Sequence, residues 1–340
     1  MRGRRIVVAG GMGFFGAAVV QRLRLDGFEP VVASRSGPTK LDVEDAPSIR
    51  GTLREGDVVV DAAGPFQART DTLARLADEI GFDLIDLSDS LAYCERLLAL
   101  TPRRARILTA CSTISAVTAA LVARTGIERP ERVTAILVPE ASASSRPAAA
   151  RSMLRSVGRG IRVLRGGGLV EALGWETVAD LDAGPLGRLT AHQMETADAV
   201  MLPRLWPGLR DVEFLVATRM PWLDLAVRAA AICRLTRLVE WGPVLGIGLW
   251  LTRRIAPGGS GYLVRVEGEG STRVAGLVAD QGGHLIAALP AALAAEALSE
   301  GLRHDAGHLP LHDCVRPDRL LQACADAGSR AIDFPSPQNA

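Results

Sequence analysis

Lysine is nearly missing from this sequence: of 39 basic residues one, Lys40, is a lysine. The rest are arginines, which do not give up their proton in proteins. Schiff-base formation and lysine general-base chemistry are therefore excluded everywhere except the Lys40 loop. Cysteine is sparse too. The five at positions 94, 111, 233, 314 and 324 are odd in number and never spaced C-x-x-C, which argues against a disulfide framework or a zinc site and fits a reducing, cytoplasmic setting. A charge excess is lacking: the formal net charge is +1, so no global positive field attracts a nucleic acid. Long apolar runs are also absent. The most apolar, residues 241–251, falls short of the roughly 20 residues a bilayer span needs. The basic start "MRGRRIVVAG" has the opening of a secretory leader, but its apolar run breaks at once into glycines and reads as a first β-strand.

What is present is a 340-residue chain, 48% hydrophobic, enough for about two domains. Its first part alternates short β-branched runs with helical patterns: "RRIVVAG", "EPVVASR", "GDVVVDAAG", "DLIDLS" and "ARILTAC" as strands, with helices between them and Gly81 and Gly126 as C-terminal stops. Continuous apolar strands separated by helices indicate a parallel sheet covered on both faces, an α/β doubly wound fold. The expected first unit is residues 1–126. From 127 to 282 the texture changes to an α+β unit with a mixed or antiparallel sheet, in which "GYLVRVEGEG" and "TRVAGLVAD" pair across a tight turn. Helices follow over 283–333, and 334–340 reads as a loose tail.

The stretch "IVVAGGMGFFGAAVV" carries G-x-G-x-x-G as Gly11, Gly13 and Gly16, after a strand and at the opening of a helix. In that context the motif is a dinucleotide turn: glycines allow the turn and the close approach of a pyrophosphate, and the helix N-terminus, with Phe14 and Phe15 in its first turn, meets the anion. Cofactor choice falls at the end of the second strand. An acid there reads ribose hydroxyls; this chain has Ser34, Arg35 and Ser36, with Lys40 following. A guanidinium forks onto a 2′-phosphate, so NADP(H) is expected over NAD(H). Asp42 either brackets the adenine edge or is a turn acid. Ala62, Ala63, Gly64 and Pro65 leave room at a central strand end, where a doubly wound sheet binds its ligand.

These segments together ("GGMGFFG", "VVASRS", "DVVVDAAGPF", "GFDLIDLSDS" and "ILTACSTISAVTAALV") resemble the saccharopine dehydrogenase-like oxidoreductase superfamily. The resemblance implies an N-terminal Rossmann unit, a mixed-sheet second unit and C-terminal helices that return to the first. It also implies pyridine-nucleotide hydride transfer to a C=N or C=C bond of a small-molecule substrate. The chain departs from the family pattern at Asp89, where glutamate is common, and in "CSTIS", which lacks Pro-Gly. It has no lysine for the Lys/His pair of the lysine-forming relatives, and no Tyr-x-x-x-Lys.

For proton transfer the sequence offers Asp89, Cys111 and His192. Each has a second reading: Asp89 as a helix cap, Cys111 as a small buried residue, His192 as a surface histidine. Tyr93 fits core packing. His304 and His308 are spaced like a metal pair, but glycine and loop composition argue against a metal site. Residues 222–254 are apolar nearly all round with arginines spaced along them. They read as packed helices or a homodimer interface, or as a peripheral membrane contact. A nucleotide-binding regulator or scaffold without turnover, and a membrane-docked enoyl reductase acting on a lipid, are the alternative functions.

Overall fold

The computed structural model describes residues 3–140, 154, 156–176, 178–233, 242, 246, 248, 250, 254, 258–302 and 304–335. The chain divides into two compact units, residues 1–120 with 285–323 and residues 121–284 with 324–340.

Unit 1 begins with β1 (Ile6–Ala9) and α1 (Phe14–Leu25), followed by β2 (Val31–Ser34), β3 (Thr39–Lys40), α2 (Ala46–Thr52) and β4 (Val58–Asp61). Next come α3 (Thr72–Ile80), β5 (Asp83–Asp86), α4 (Leu91–Leu98), β6 (Arg106–Leu108) and α5 (Ala116–Arg124), which runs on into unit 2. Seven strands form one sheet in the order β15-β6-β5-β4-β1-β2-β3, where β15 is Gly307–His308. Every pairing in it is parallel. The strand order reverses between β1 and β4, the switch point at which such sheets bind ligands. Alternation explains why the strands read as continuous apolar runs. Ile6, Val8, Val58 and Val60 pack on one face, while Val7, Ala9 and Val59 pack on the other. The first face is covered by α1 residues and by α8 (Leu289–Ser299), whose alanines and Leu298 join the same cluster.

Unit 2 holds a nine-stranded mixed sheet. β7 (Arg132–Val138) lies between β12 (Asp211–Val216), to which it is parallel, and β13 (Ser260–Gly268), to which it is antiparallel. β13 turns into β14 (Ser271–Ala279) through Glu269 and Gly270, both at positive φ as a tight two-residue hairpin requires. β8 (Gly160–Arg165) and β9 (Gly168–Leu173) form a hairpin, and β10 (Val178–Asp182) pairs β11 (Arg188–Met194). The helices are α6 (Asp198–Leu205) and α7 (Pro221–Ile232).

The C-terminal boundaries differ from the sequence reading. The return to unit 1 ends at Ala323. α9 (Pro317–Asp326) is followed by β16 (Arg330–Pro335), which pairs β14 antiparallel. Residues 330–335 are thus a strand of unit 2 and not helix or loose tail. An edge position makes a terminal proline acceptable there. The helix expected around 146–160 and most of the apolar stretch 234–257 lie outside the described residues.

Candidate dinucleotide site

Between β1 and α1 the glycines divide their work differently from the motif reading. Gly10 is the residue at positive φ, +71°, and a Cβ on it would lie 2.7 Å from the Ala62 carbonyl oxygen. Gly16 lets α1 close on the turn: its Cβ would stand 2.2 Å from the Gly10 oxygen. Gly13 caps α1 with extended backbone and meets only the Gly10 oxygen, at 3.1 Å, so the space beyond it is open. Gly11 packs toward Val32 and lines a separate apolar groove along α1, while Gly10 and Gly13 line the groove at the sheet switch point. The first turn of α1 has no side-chain cap and no acid, the state in which a helix N-terminus favours an anion. Phe14 and Phe15 open that helix with rings 5.0 Å apart, but neither lines the groove.

The groove has a volume of about 450 Å³. Ser34, Arg35 and Ser36 form one edge of it. Arg35 and Ser36 are exposed, and the Ser34 hydroxyl is buried without a hydrogen-bond partner. Arg35 has no ion-pair partner among the described residues. Two acids line this wall, and they are engaged to different degrees. Asp42 accepts the Glu44 N–H at 3.0 Å. Glu44 accepts from Arg69 Nε at 2.5 Å and from the Thr70 hydroxyl at 2.7 Å. Beside them this wall carries a guanidinium without an ion-pair partner among the described residues and an orphaned hydroxyl.

Arg69 was not among the residues singled out from sequence, yet it organises the site. It is 5% exposed and lines the groove. Nη2 donates to Asp61 Oδ2 at 2.9 Å, Nη1 to the Ala63 carbonyl at 2.7 Å, and Nε to Glu44. Its guanidinium lies 5.9 Å from the Phe66 ring centroid and 5.8 Å from that of Tyr93. Burial works against its charge, but Asp61 and the hydrogen bonds leave its pKa raised. One side chain therefore ties the 42–44 wall to the loop of Ala62, Ala63, Gly64 and Pro65, all of which line the groove.

The strand ends place the proposed proton carriers unequally. Asp86 is fully buried beside Asp61 on the neighbouring strand and accepts from the Ser88 and Ala110 backbone N–H groups. Burial, with Asp61 adding to it, pushes its carboxyl up to about 8. The folded chain then holds a proton that the unfolded chain releases near 3.8. The stability from this group is full below that value and is lost as pH rises through about 8. Denaturant midpoints measured across this window should fall with pH in the parent and fall less in Asp86→Asn. That variant is weaker throughout, because an amide cannot accept both backbone donors.

Asp89 does not cap α4; Ser90 does, accepting the Tyr93 N–H at 3.4 Å. Asp89 instead accepts from Gln67 Nε2 at 3.3 Å, and burial raises its pKa. Cys111 sits in the core under the sheet, and burial and Asp86 push its thiol well above the ordinary value. Tyr93 is buried in the core. His192 belongs to unit 2 and is not a surface residue: it is 1% exposed, stacked on Trp175 at 4.8 Å, with Nε2 3.4 Å from Asp224. The strand β11 turns this position inward, a burial that the mixed composition of "LTAHQM" did not reveal. His308 bonds the Leu100 carbonyl at 2.9 Å from strand β15. No His/Cys/Asp/Glu group that could hold a metal occurs among the described residues.

No family model and no curated protein matches the sequence. Among solved structures, apo saccharopine dehydrogenase (L-Glu forming) from Saccharomyces cerevisiae is similar with a TM-score of 0.62 at 13% identity, over 98% of this chain and 100% of that one. An inositol dehydrogenase homolog complexed with NAD+ from Azotobacter vinelandii aligns over 98% of both chains at 14% identity, with a TM-score of 0.34. The fold expected from the motifs is thereby borne out: this chain is an α/β protein with a Rossmann sheet and a mixed-sheet second unit, and it shares the fold of saccharopine dehydrogenase along its length.

Proposed function

We propose that the protein is an NADPH-dependent oxidoreductase of the saccharopine dehydrogenase-like type, reducing a C=N or C=C bond of a small metabolite. The observation that carries the reading is the wall at Ser34–Ser36: an unpaired guanidinium and a buried hydroxyl without a partner, next to an uncapped helix N-terminus. These residues fit a dinucleotide bearing a 2′-phosphate. Gly13 admits the diphosphate to the α1 N-terminus, Arg35 and Ser34 hold the extra phosphate, and the small Ala62–Gly64 loop leaves space for the nicotinamide ribose. NADPH, when bound, supplies a hydride equivalent. Asp89, whose pKa is raised by burial and whose Oδ1 accepts from Gln67 Nε2, is the group on this unit suited to give a proton to the reduced substrate.

Titration of the purified chain tests the reading. NADPH at about 100 times its Kd should raise stability by roughly 2.7 kcal/mol. Arg35→Ala should weaken NADPH by about one to two orders of magnitude, the worth of a charge-assisted phosphate contact, and leave NADH nearly unchanged. Equal losses for both nucleotides would remove the 2′-phosphate role. Steady NADPH oxidation with imines or 2-enoates separates a reductase from a nucleotide-binding scaffold, and Asp89→Asn should lower kcat with little change in NADPH affinity.

A further inference from the structure

Strand β9 stands at an edge of the mixed sheet: it pairs β8 and no other strand. A sheet edge offers a row of unpaired N–H and C=O groups to any further strand, so chains ordinarily guard it with charge, proline or shortness. The other strands at the ends of the two sheets carry such guards. β3 has Lys40, β10 has Asp180 and Asp182, β16 has Asp333 and Pro335, and β15 is two residues long. β9, with the sequence GLVEAL, has neither lysine nor proline. Its one charge, Glu171, lies directly across from Arg162 of β8. Leu169 and Val170 are 39% and 38% exposed. The hairpin is also held in place. Gly166 and Gly167, both at positive φ, make its two-residue turn. The Gly166 N–H donates to Asp211 Oδ1 at 3.1 Å and the Gly167 N–H to the Arg210 carbonyl at 2.8 Å.

Alternation fixes which backbone groups face out. The Gly174 N–H reaches back to the Arg159 carbonyl at 2.9 Å. Residues 168, 170 and 172 therefore turn their backbone groups toward β8, and Leu169 and Glu171 turn theirs away from it. Neither Leu169 nor Glu171 makes a further backbone hydrogen bond among the described residues. Such an edge takes up an extended strand, and the register points to a second copy of β9. About a twofold axis through Val170, antiparallel pairing sets Val170 against its own copy and Leu169 against the partner's Glu171. Val163 and Val170, paired across the hairpin, then continue into the partner's pair as one apolar row. No like charges meet. An axis through Glu171 would set two carboxylates face to face. An axis through Leu169 would call on the Gly167 N–H, already given to Arg210. The Val170 register makes about four backbone hydrogen bonds across the axis, a contact at the small, reversible end of interface sizes. We infer that two copies of the chain join through β9, antiparallel about Val170, into one sheet continuous across both. The pairing does not depend on the dinucleotide reading, and its test uses no nucleotide.

Sedimentation of the full chain from about 1 to 200 µM should show a monomer–dimer equilibrium with a Kd on the order of 10 µM. Val170→Lys sets two ammonium groups against each other on the axis and should weaken the dimer at least about tenfold. Val170→Cys keeps a small side chain at the same place. The Val170 pair is of the non-hydrogen-bonded kind, with Cα atoms about 4.5 Å apart, a distance that a disulfide spans. With oxidised glutathione, Val170→Cys should form a disulfide between the two copies of position 170, located by mass spectrometry and absent from the parent. Leu169→Cys, at a position of similar exposure, places its two copies about 8 Å apart and should crosslink roughly tenfold more slowly. A parent that stays monomeric over this range overturns the inference. So does a dimer that Val170→Lys leaves intact, or a Leu169→Cys protein that crosslinks as fast as Val170→Cys.

Discussion

Arg69→Met is expected to lower the stability of the protein by about 3–5 kcal/mol, the cost of leaving one member of a buried ion pair without its partner. Asp61 has no exposure, and the described structure pairs its carboxylate with no other cation. At roughly 2–4 °C per kcal/mol for a chain of this order of size, the melting temperature should fall by about 10 °C. Asp61→Asn alone should also be costly. The double variant should cost far less than the sum, since removing both charges leaves neither one stranded. The same substitution cuts the ties from the guanidinium to Glu44 and to the Ala63 carbonyl, so NADPH affinity should fall even where the apo protein remains folded. Arg69→Lys keeps the charge but cannot serve three acceptors in one plane, and should recover stability better than affinity. Thermal melts and NADPH titrations of these variants check both halves. An Arg69→Met protein that melts within a degree or two of the parent would show that the pair carries no net weight.

Such a residue was not legible in the sequence, and the reason is physical. Arg69 draws its meaning from Glu44, in the connection from β3 to α2, and Asp61, the last residue of β4, which meet only when the parallel sheet forms. The dinucleotide turn was legible because its determinants are local: a strand, four glycines and a helix within a dozen residues. Even there the local signal is incomplete. Both Gly10 and Gly11 precede the helix, and the assignment of the left-handed position to Gly10 depends on the backbone of Ala62, a neighbour across the sheet. The parallel strands of unit 1 were visible as apolar runs because both of their faces are covered. β8, β9 and β16 were less visible, for opposite reasons. β9 is mostly exposed and lacks an apolar stripe, while β16 closes a sheet edge with a sequence that ends in proline. His192 was recognised as chemically interesting, but its burial against Trp175 depends on pairing between β11 and its neighbours.

Gly16→Ala and Gly13→Ala should separate folding from binding at the same turn. A methyl on Gly16 would sit 2.2 Å from the Gly10 oxygen and 2.7 Å from its carbonyl carbon, both backbone atoms. Backbone yields less readily than a side chain, and Gly10 is itself held against Ala62. The cost should reach or exceed the upper end of the roughly 1–3 kcal/mol range of overpacking, a fall in melting temperature of about 10 °C with no ligand present. Gly13 has φ −79° and ψ 174°, ordinary for alanine, and its methyl would meet one atom at 3.1 Å. The apo protein should therefore stay within about 1 kcal/mol of the parent. Yet that methyl occupies the place through which a diphosphate reaches the α1 N-terminus, so NADPH should bind at least about tenfold more weakly, a loss of roughly 1.4 kcal/mol. The pair of results is read by melting without nucleotide and titration with it. If Gly13→Ala binds NADPH as the parent does, the diphosphate does not rest on this helix end, and the free guanidinium of Arg35 serves some other anion.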